Sequence, residues 1–361
     1  MAATRWIARY LPLLALFAGA ALPGRAAAQA GVPGVVTGRV IPAGGGDVRG
    51  VRVFARAGAA ADSVSVDSAG RFALMLTSGE PADSVELWID SGDSAARAFQ
   101  PARLRLGKRE MAREQEIVLV PARWTIRAGR YAGREVDVSL SRAFTGACAR
   151  CSGFYRRFTA GADSGRTWVR GWPAERFPLR VAFDRDWNGE PVSARDSAAF
   201  WNEADGLDDA FGADIFRPAN FHDAAPREDG GPDDVILVWI DPEMQGISGL
   251  GTAVSHGDDI QYGDMRLNRG VLREASTYPG LVAHELVHTL GFGHTCGWRS
   301  VVADVRRCPN QRAPNATEED VAYVQLAAEL RALLSHHGSR WAVEAALAAI
   351  ETPRGAGLAV R

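Results

Sequence analysis

The sequence predicts two domains in series, an all-β sandwich followed by an α+β domain. Three observations carry this reading. The chain has 361 residues, room for two domains once a leader is set aside. Residues 33–121 are short apolar runs separated by Gly, Asp and Ser turns, the rhythm of a β-sandwich. From about residue 166 strand-like runs alternate with segments of helical period. The bulk is that of an ordinary globular protein, 47% hydrophobic and 23% charged, and a net charge of −2 argues against nucleic acid as a partner.

The first element is a leader. Arg5 and Arg9 precede an apolar run over residues 10–22, and the small-residue stretch AAAQA follows. Residues 1–30 are read as a signal peptide, cleaved after Ala28 or Ala30. The run is shorter than the ~18–20 apolar residues that cross a bilayer. No other segment approaches that length, so a secreted or periplasmic protein without a membrane span is expected.

In the 33–121 domain the expected strands include VVTGRV, VRVFARA, SVELWID and QEIVLVPA. SVSVDSAGRFALML reads as a hairpin turning at Asp67-Ser68-Ala69-Gly70, with Val64 and Val66 on one arm and Phe72, Leu74 and Leu76 on the other. Gly44-Gly45-Gly46 is followed by no helix carrying Lys-Ser/Thr, so it is read as a turn and not a phosphate loop. The rhythm GRV…GVRVFA…VSVDSAGRFAL resembles the regulatory-like or transthyretin-like β-sandwich modules attached to many secreted hydrolases. Residues 122–165, rich in Arg, Gly and Ala, are read as a linker.

In the second domain, residues 166–338, LRVAFD (179–184) reads as a strand, and residues 191–212 as a helix capped by Ser193. DDVILVWID (233–241) suits a buried central strand. The alternating DMRLN (264–268) suits an edge strand, with Gly249–Ala253 as a loop above it. Thr317 followed by Asp320 opens a helix running to about Leu334. Residues 339–361 are read as a last amphipathic helix and a tail.

Residues 284–294, HELVHTLGFGH, carry the chemistry. His284 and His288 are four apart and share one helix face. Two neutral imidazoles at that spacing can grip one Zn²⁺. Glu285 stands beside the first ligand, where its carboxylate reaches the attacking water rather than the metal. Gly291 can end the helix in the left-handed region, so that the chain turns back and His294 supplies a third nitrogen. Three nitrogens and one open position describe a catalytic zinc site. An ordinary core helix has no need of a Glu and three His at these offsets in a chain with seven His in all. Ser276 or Thr277 is the expected cap of this helix.

The pattern HExxHxxGxxH resembles the long zinc signature of the metzincin metallopeptidases, and over about residues 165–335 the chain looks like a secreted bacterial matrixin-like member. The resemblance implies a twisted five-stranded mixed sheet, an active-site helix and a C-terminal helix. It implies hydrolysis of a peptide or protein substrate with one catalytic Zn²⁺, ligands His284, His288 and His294, and Glu285 as general base. One departure stands out. Metzincins place a Met beneath the metal after the third His, yet the five Met here, at positions 1, 75, 111, 244 and 265, all precede His294. Val301 or Val302 is expected in its place, as an apolar floor.

The four cysteines fall as local pairs, Cys148/Cys151 and Cys296/Cys308, and export makes both expected disulfides. Cys151, ahead of the zinc motif, also offers a thiolate for the open position, but its flanks do not match the matrixin latency motif. His256 reads as a surface-loop residue. Asp258, Asp259 and Asp264 offer oxygens for Ca²⁺, but their spacing matches no calcium loop. Two readings compete with an endopeptidase: a non-catalytic zinc-containing binding protein, favoured only by the missing Met, and a zinc hydrolase with a non-peptide substrate.

Overall fold

The computed structural model describes residues 34–76, 83–90, 99–145, 153–155, 171–184, 192–220, 234–241, 244, 248–257, 259–268 and 279–337. The expected signal peptide, Cys148 and Cys151, Ser276 and Thr277, and the expected C-terminal helix and tail lie outside them. The described chain is a mixed α/β protein with several sheets and five helices.

The first seven strands are β1 (Val35–Pro42), β2 (Arg52–Ala57), β3 (Ala60–Ser65), β4 (Arg71–Met75), β5 (Ser84–Asp90), β6 (Ala102–Gly107) and β7 (Gln115–Leu119), with the short helix α1 (Lys108–Met111) before the last. They make one sheet ordered β4-β1-β7 and a second ordered β3-β2-β5-β6. Strand alternation sends Val53, Leu87, Leu104 and Leu106 of the second sheet and Val36, Leu74, Ile117 and Leu119 of the first into one shared buried cluster. Each such side chain contributes about 1.5–3 kcal/mol by leaving water.

The turn at Asp67 forms, but the expected hairpin does not. Asp67 Oδ1 accepts the Ala69 and Arg71 N–H groups at 2.8 Å, and Gly70 takes φ +78°. A Cβ on Gly70 would sit 2.3 Å from the Val40 carbonyl oxygen. Yet β3 pairs with β2 while β4 pairs with β1, so the turn carries the chain from one sheet to the other. Turn chemistry is local and satisfied either way; strand partners are set by distant residues.

The stretch expected as a linker is structured from its start. It holds the hairpin β8 (Arg123–Thr125) and β9 (Glu135–Asp137) and the helix α2 (Leu140–Thr145). Trp124, Ile126, Val136, Leu140, Ala143, Phe154 and Tyr155 are buried in the cluster that also contains the helix of the His motif. Arg, Gly and Ala dominate the composition of this stretch and mask its larger apolar positions.

A five-stranded sheet follows, formed by β10 (Leu179–Phe183), β11 (Phe216–Pro218), β12 (Val235–Asp241), β13 (Gly249–His256) and β14 (Asp259–Asn268), ordered β11-β10-β12-β14-β13. All are parallel except β13, which runs antiparallel to β14. The edge strand beside the His motif is therefore β13, while residues 264–268 lie inside the sheet, paired on both sides. The glycines that suggested a loop serve a close approach instead. A Cβ on Gly251 would sit 2.2 Å from the Glu285 carbonyl oxygen.

Three longer helices complete this part: α3 (Ala194–Phe211), α4 (Leu281–Thr289) and α5 (Glu318–His337). Ser193 caps α3 as expected, accepting the Asp196 N–H at 3.1 Å, and Gly212 closes it with φ +72°. Phe200, Ala204, Leu207 and Phe211 form its buried stripe. Among the described residues no helix is long and apolar enough to cross a membrane.

Candidate metal centre and active site

The helix α4 starts without a cap of its own. Its N-cap is Gly280, at φ +76°, where a Cβ would lie 2.2 Å from the Pro314 carbonyl oxygen. The cap comes from Glu203 on α3, whose carboxylate accepts the N–H groups of Gly280 (3.2 Å) and Ala283 (3.0 Å). This replaces the cap expected from Ser276 or Thr277. Burial raises the Glu203 pKa, and the helix N–H donors oppose that rise.

Nine residues on, α4 ends and Gly291, at φ +100°, reverses the chain. His294 is thereby returned to the helix, and the three predicted ligands converge. His288 Nε2 and His294 Nε2 each lie 3.1 Å from His284 Nε2. The other ring nitrogens fix the tautomers. His284 Nδ1 donates to the Val301 carbonyl at 2.7 Å, and His288 Nδ1 donates to the Phe292 carbonyl at 2.8 Å. In a neutral ring an Nδ1–H donor leaves Nε2 unprotonated. Burial, and next the neighbouring His294, push the His284 pKa down to about 3, so this ring is neutral.

Ring nitrogens 3.1 Å apart are held together either by a shared proton or by a cation between them. A tetrahedral ion with bonds of 2.0–2.1 Å requires N···N separations of roughly 3.3 Å, close to those observed. His284, His288 and His294 can therefore hold a metal ion. Among the described residues no second cluster of this kind occurs, and Asp259 is paired with Arg331 at 2.5 Å.

Glu285 is buried beside the triad, and its Oε2 accepts the Gly251 N–H of the edge strand at 2.5 Å. Burial pushes its pKa up to about 7, against the pull of the Gly251 N–H and of Arg312. A carboxyl poised near neutrality is suited to taking and returning a proton. Around these residues is a cleft of about 560 Å³, bounded by residues 248–252 of the edge strand, by α4 and the turn after it, and by Asp304–Arg307 and Arg312.

Val301, whose carbonyl accepts from His284, and its neighbour Val302 are both fully buried. The segment that carries them is tied by one carboxylate. Asp320, at the start of α5, accepts from Trp298 Nε1 (2.9 Å), Ser300 Oγ (2.6 Å), Val301 N–H (2.9 Å) and Thr317 N–H (3.0 Å). Thr317 Oγ1 accepts the Asp320 N–H in return, which completes the predicted helix start. The sequence signal identified that cap and nothing of the other three bonds. Behind the third ligand an aromatic group also escaped prediction: Phe154 stacks on Phe292 at 4.7 Å, and Trp298 stacks on Tyr323 at 4.3 Å.

Cys296 and Cys308 form the expected disulfide, closing a loop of 12 residues' separation that includes Asp304–Arg307 of the cleft. Replacing both by Ser is expected to cost about 3 kcal/mol on the loop-entropy model. Thermal melts of the double variant and of the reduced native chain should fall together; an unchanged midpoint would show that the loop holds without the bridge.

No protein-family model matches the sequence. No curated protein matches it either. Among solved structures, a 5-hydroxyisourate hydrolase from Klebsiella pneumoniae aligns at 15% identity with a TM-score of 0.21, over 29% of this chain and 98% of that one, a likeness too slight to carry an argument.

Proposed function

We propose that this chain is a secreted zinc-dependent endopeptidase of the metzincin type, with the two-sheet N-terminal unit as an attached β-sandwich module. The observation that carries the reading is the convergence of three imidazole rings with one buried carboxyl beside them. Zinc bound there would lower the pKa of a coordinated water to about 7 and polarise a carbonyl oxygen.

The chain's own groups do the rest. Among the described residues edge strand β13 is paired as a strand with β14 alone, and an extended peptide can add along its other side. That places the scissile carbonyl over α4, within reach of Glu285. The carboxylate takes a proton from the attacking water as the C–O bond forms. It then delivers that proton to the amine nitrogen as the C–N bond breaks. The Gly251 N–H holds the carboxylate on the strand side throughout. The same hydrogen bond couples substrate binding to the base, because strand and base are in direct contact.

The test is zinc content together with cleavage of an unstructured protein, with and without chelator. One equivalent of zinc is expected, with cleavage abolished by chelation and restored by added zinc. Zinc without cleavage would favour a binding protein or a non-peptide substrate; absence of transition metal would overturn the assignment.

A further inference from the structure

We propose that Phe154 and Tyr155, from the stretch ahead of the five-stranded sheet, are positioning residues of the metal centre, acting on its second and third ligands through the peptide group that joins Phe292 to Gly293. This rests on the reading of the His triad as a metal site. The peptide group is held at both ends. Its carbonyl, on Phe292, accepts His288 Nδ1 at 2.8 Å, and its N–H, on Gly293, donates to the Phe154 carbonyl at 2.9 Å. His294 follows directly in the chain. Gly291 and Gly293 carry no side chain, so within residues 291–293 the Phe292 ring is the one side chain that can anchor the turn. That ring lies against Phe154, with centroids 4.7 Å apart and planes 24° from parallel. Phe154 thus grips the peptide twice, by its ring through Phe292 and by its carbonyl through Gly293.

The bracing residues are themselves fixed. Phe154 and Tyr155 are both fully buried. Gly153, at φ +72°, turns the chain back onto the end of α2, where a Cβ would collide with the Phe144 carbonyl oxygen. The Tyr155 N–H then donates to the Ala143 carbonyl at 3.0 Å, and its hydroxyl donates to the Tyr323 carbonyl of α5 at 2.6 Å. Burial, and next the Tyr323 phenol, push the Tyr155 pKa far up, so the group donates as a neutral hydroxyl. The Tyr323 hydroxyl accepts the Ser139 N–H at 2.9 Å, and Arg142 of α2 donates to the Gly297 carbonyl at 2.7 Å, three residues past the third ligand. In this way α2 and residues 153–155 brace the turn from His288 to His294 against α5. His284 has a separate support, the Val301 carbonyl. An acceptor on the far nitrogen of a ligand ring sets the ring's direction, so Phe154 bears on His288 and Val301 on His284.

The experiment uses the full chain and reads zinc affinity by competition with a chromophoric chelator, under conditions where melts show each variant folded. Phe154→Ala is expected to weaken zinc binding by about 10–100-fold. Phe154→Leu keeps part of the ring's volume and is expected to weaken it less. Tyr155→Phe keeps its shape, loses only the hydroxyl bond and moves affinity in the same direction; it and the Leu variant serve if the Ala variant does not fold. A second readout separates positioning from a general loss of stability. In zinc-loaded protein carrying isotope-labelled histidine, NMR should show the His288 Nδ1 proton exchanging with water faster in the variants than in the native chain. The His284 Nδ1 proton, held by Val301, should keep its native rate. Unchanged affinity in the folded variants, or equal acceleration at His284 and His288, overturns the proposal. A native chain that takes up no zinc fails the metal reading and this proposal with it; native uptake matched by the variants fails this proposal alone.

Discussion

Glu285→Gln should keep its zinc and lose roughly 10²–10⁴-fold in kcat, the share that a positioned general acid–base contributes. The amide has the carboxylate's shape, and its oxygen can still accept the Gly251 N–H, now at 2.5 Å from Oε2. What it cannot do is take a proton. The ligands are untouched, since all three nitrogens come from His284, His288 and His294. Folding should not suffer either, because Glu285 is 4% exposed and a neutral amide costs less to bury than a carboxylate. Zinc analysis, a thermal melt and kcat on a peptide substrate separate these effects. Full activity with Gln at this position would mean that the proton goes elsewhere, and the catalytic assignment would fall. Loss of zinc along with activity would show Glu285 to be a structural support of the triad.

The convergence of His284, His288 and His294 was legible in the sequence because their geometry is local: a four-residue helical offset and one glycine reversal bring them together within eleven residues. Ser193 and the Thr317–Asp320 box were legible for the same reason, as each cap lies within a turn of what it caps. The support of α4 was not. Glu203 lies 77 residues before Gly280, and nothing near either residue signals the contact. Gly249 and Gly251 misled by the same route. Their lack of a side chain answers to α4 passing overhead, which a one-dimensional reading converts into a loop and so moves the sheet edge from β13 to residues 264–268. Turn chemistry at Asp67 was read correctly and its strand pairing was not, since pairing is settled against β1 and β2. Sequence carried the histidine constellation, and the long-range contacts decide how firmly it is held.

Asp320 tests that last point. Asp320→Ala would leave Trp298 Nε1, Ser300 Oγ and the N–H groups of Val301 and Thr317 without their acceptor in a site that is 1% exposed at Asp320. Each buried donor left unsatisfied costs about 1–3 kcal/mol, and after partial relaxation a total of about 4 kcal/mol is expected. Asp320→Asn should be nearly as damaging, because one of its two terminal atoms becomes a donor facing donors. Stability is half of the prediction. The Val301 peptide links two contacts, its N–H to Asp320 Oδ2 at 2.9 Å and its carbonyl to His284 Nδ1 at 2.7 Å. Freeing the first lets the peptide group swing and loosens the second, which holds the His284 tautomer and ring direction. Losing a support of this kind weakens metal binding by about 10–100-fold. Competition with a chromophoric chelator, under conditions where melts show the variant still folded, isolates that loss. Unchanged zinc affinity alongside the lowered melting temperature would make Asp320 a clamp on α5 and its loop alone; a loss of both shows that the helix start at Thr317 and the first ligand are held by one carboxylate.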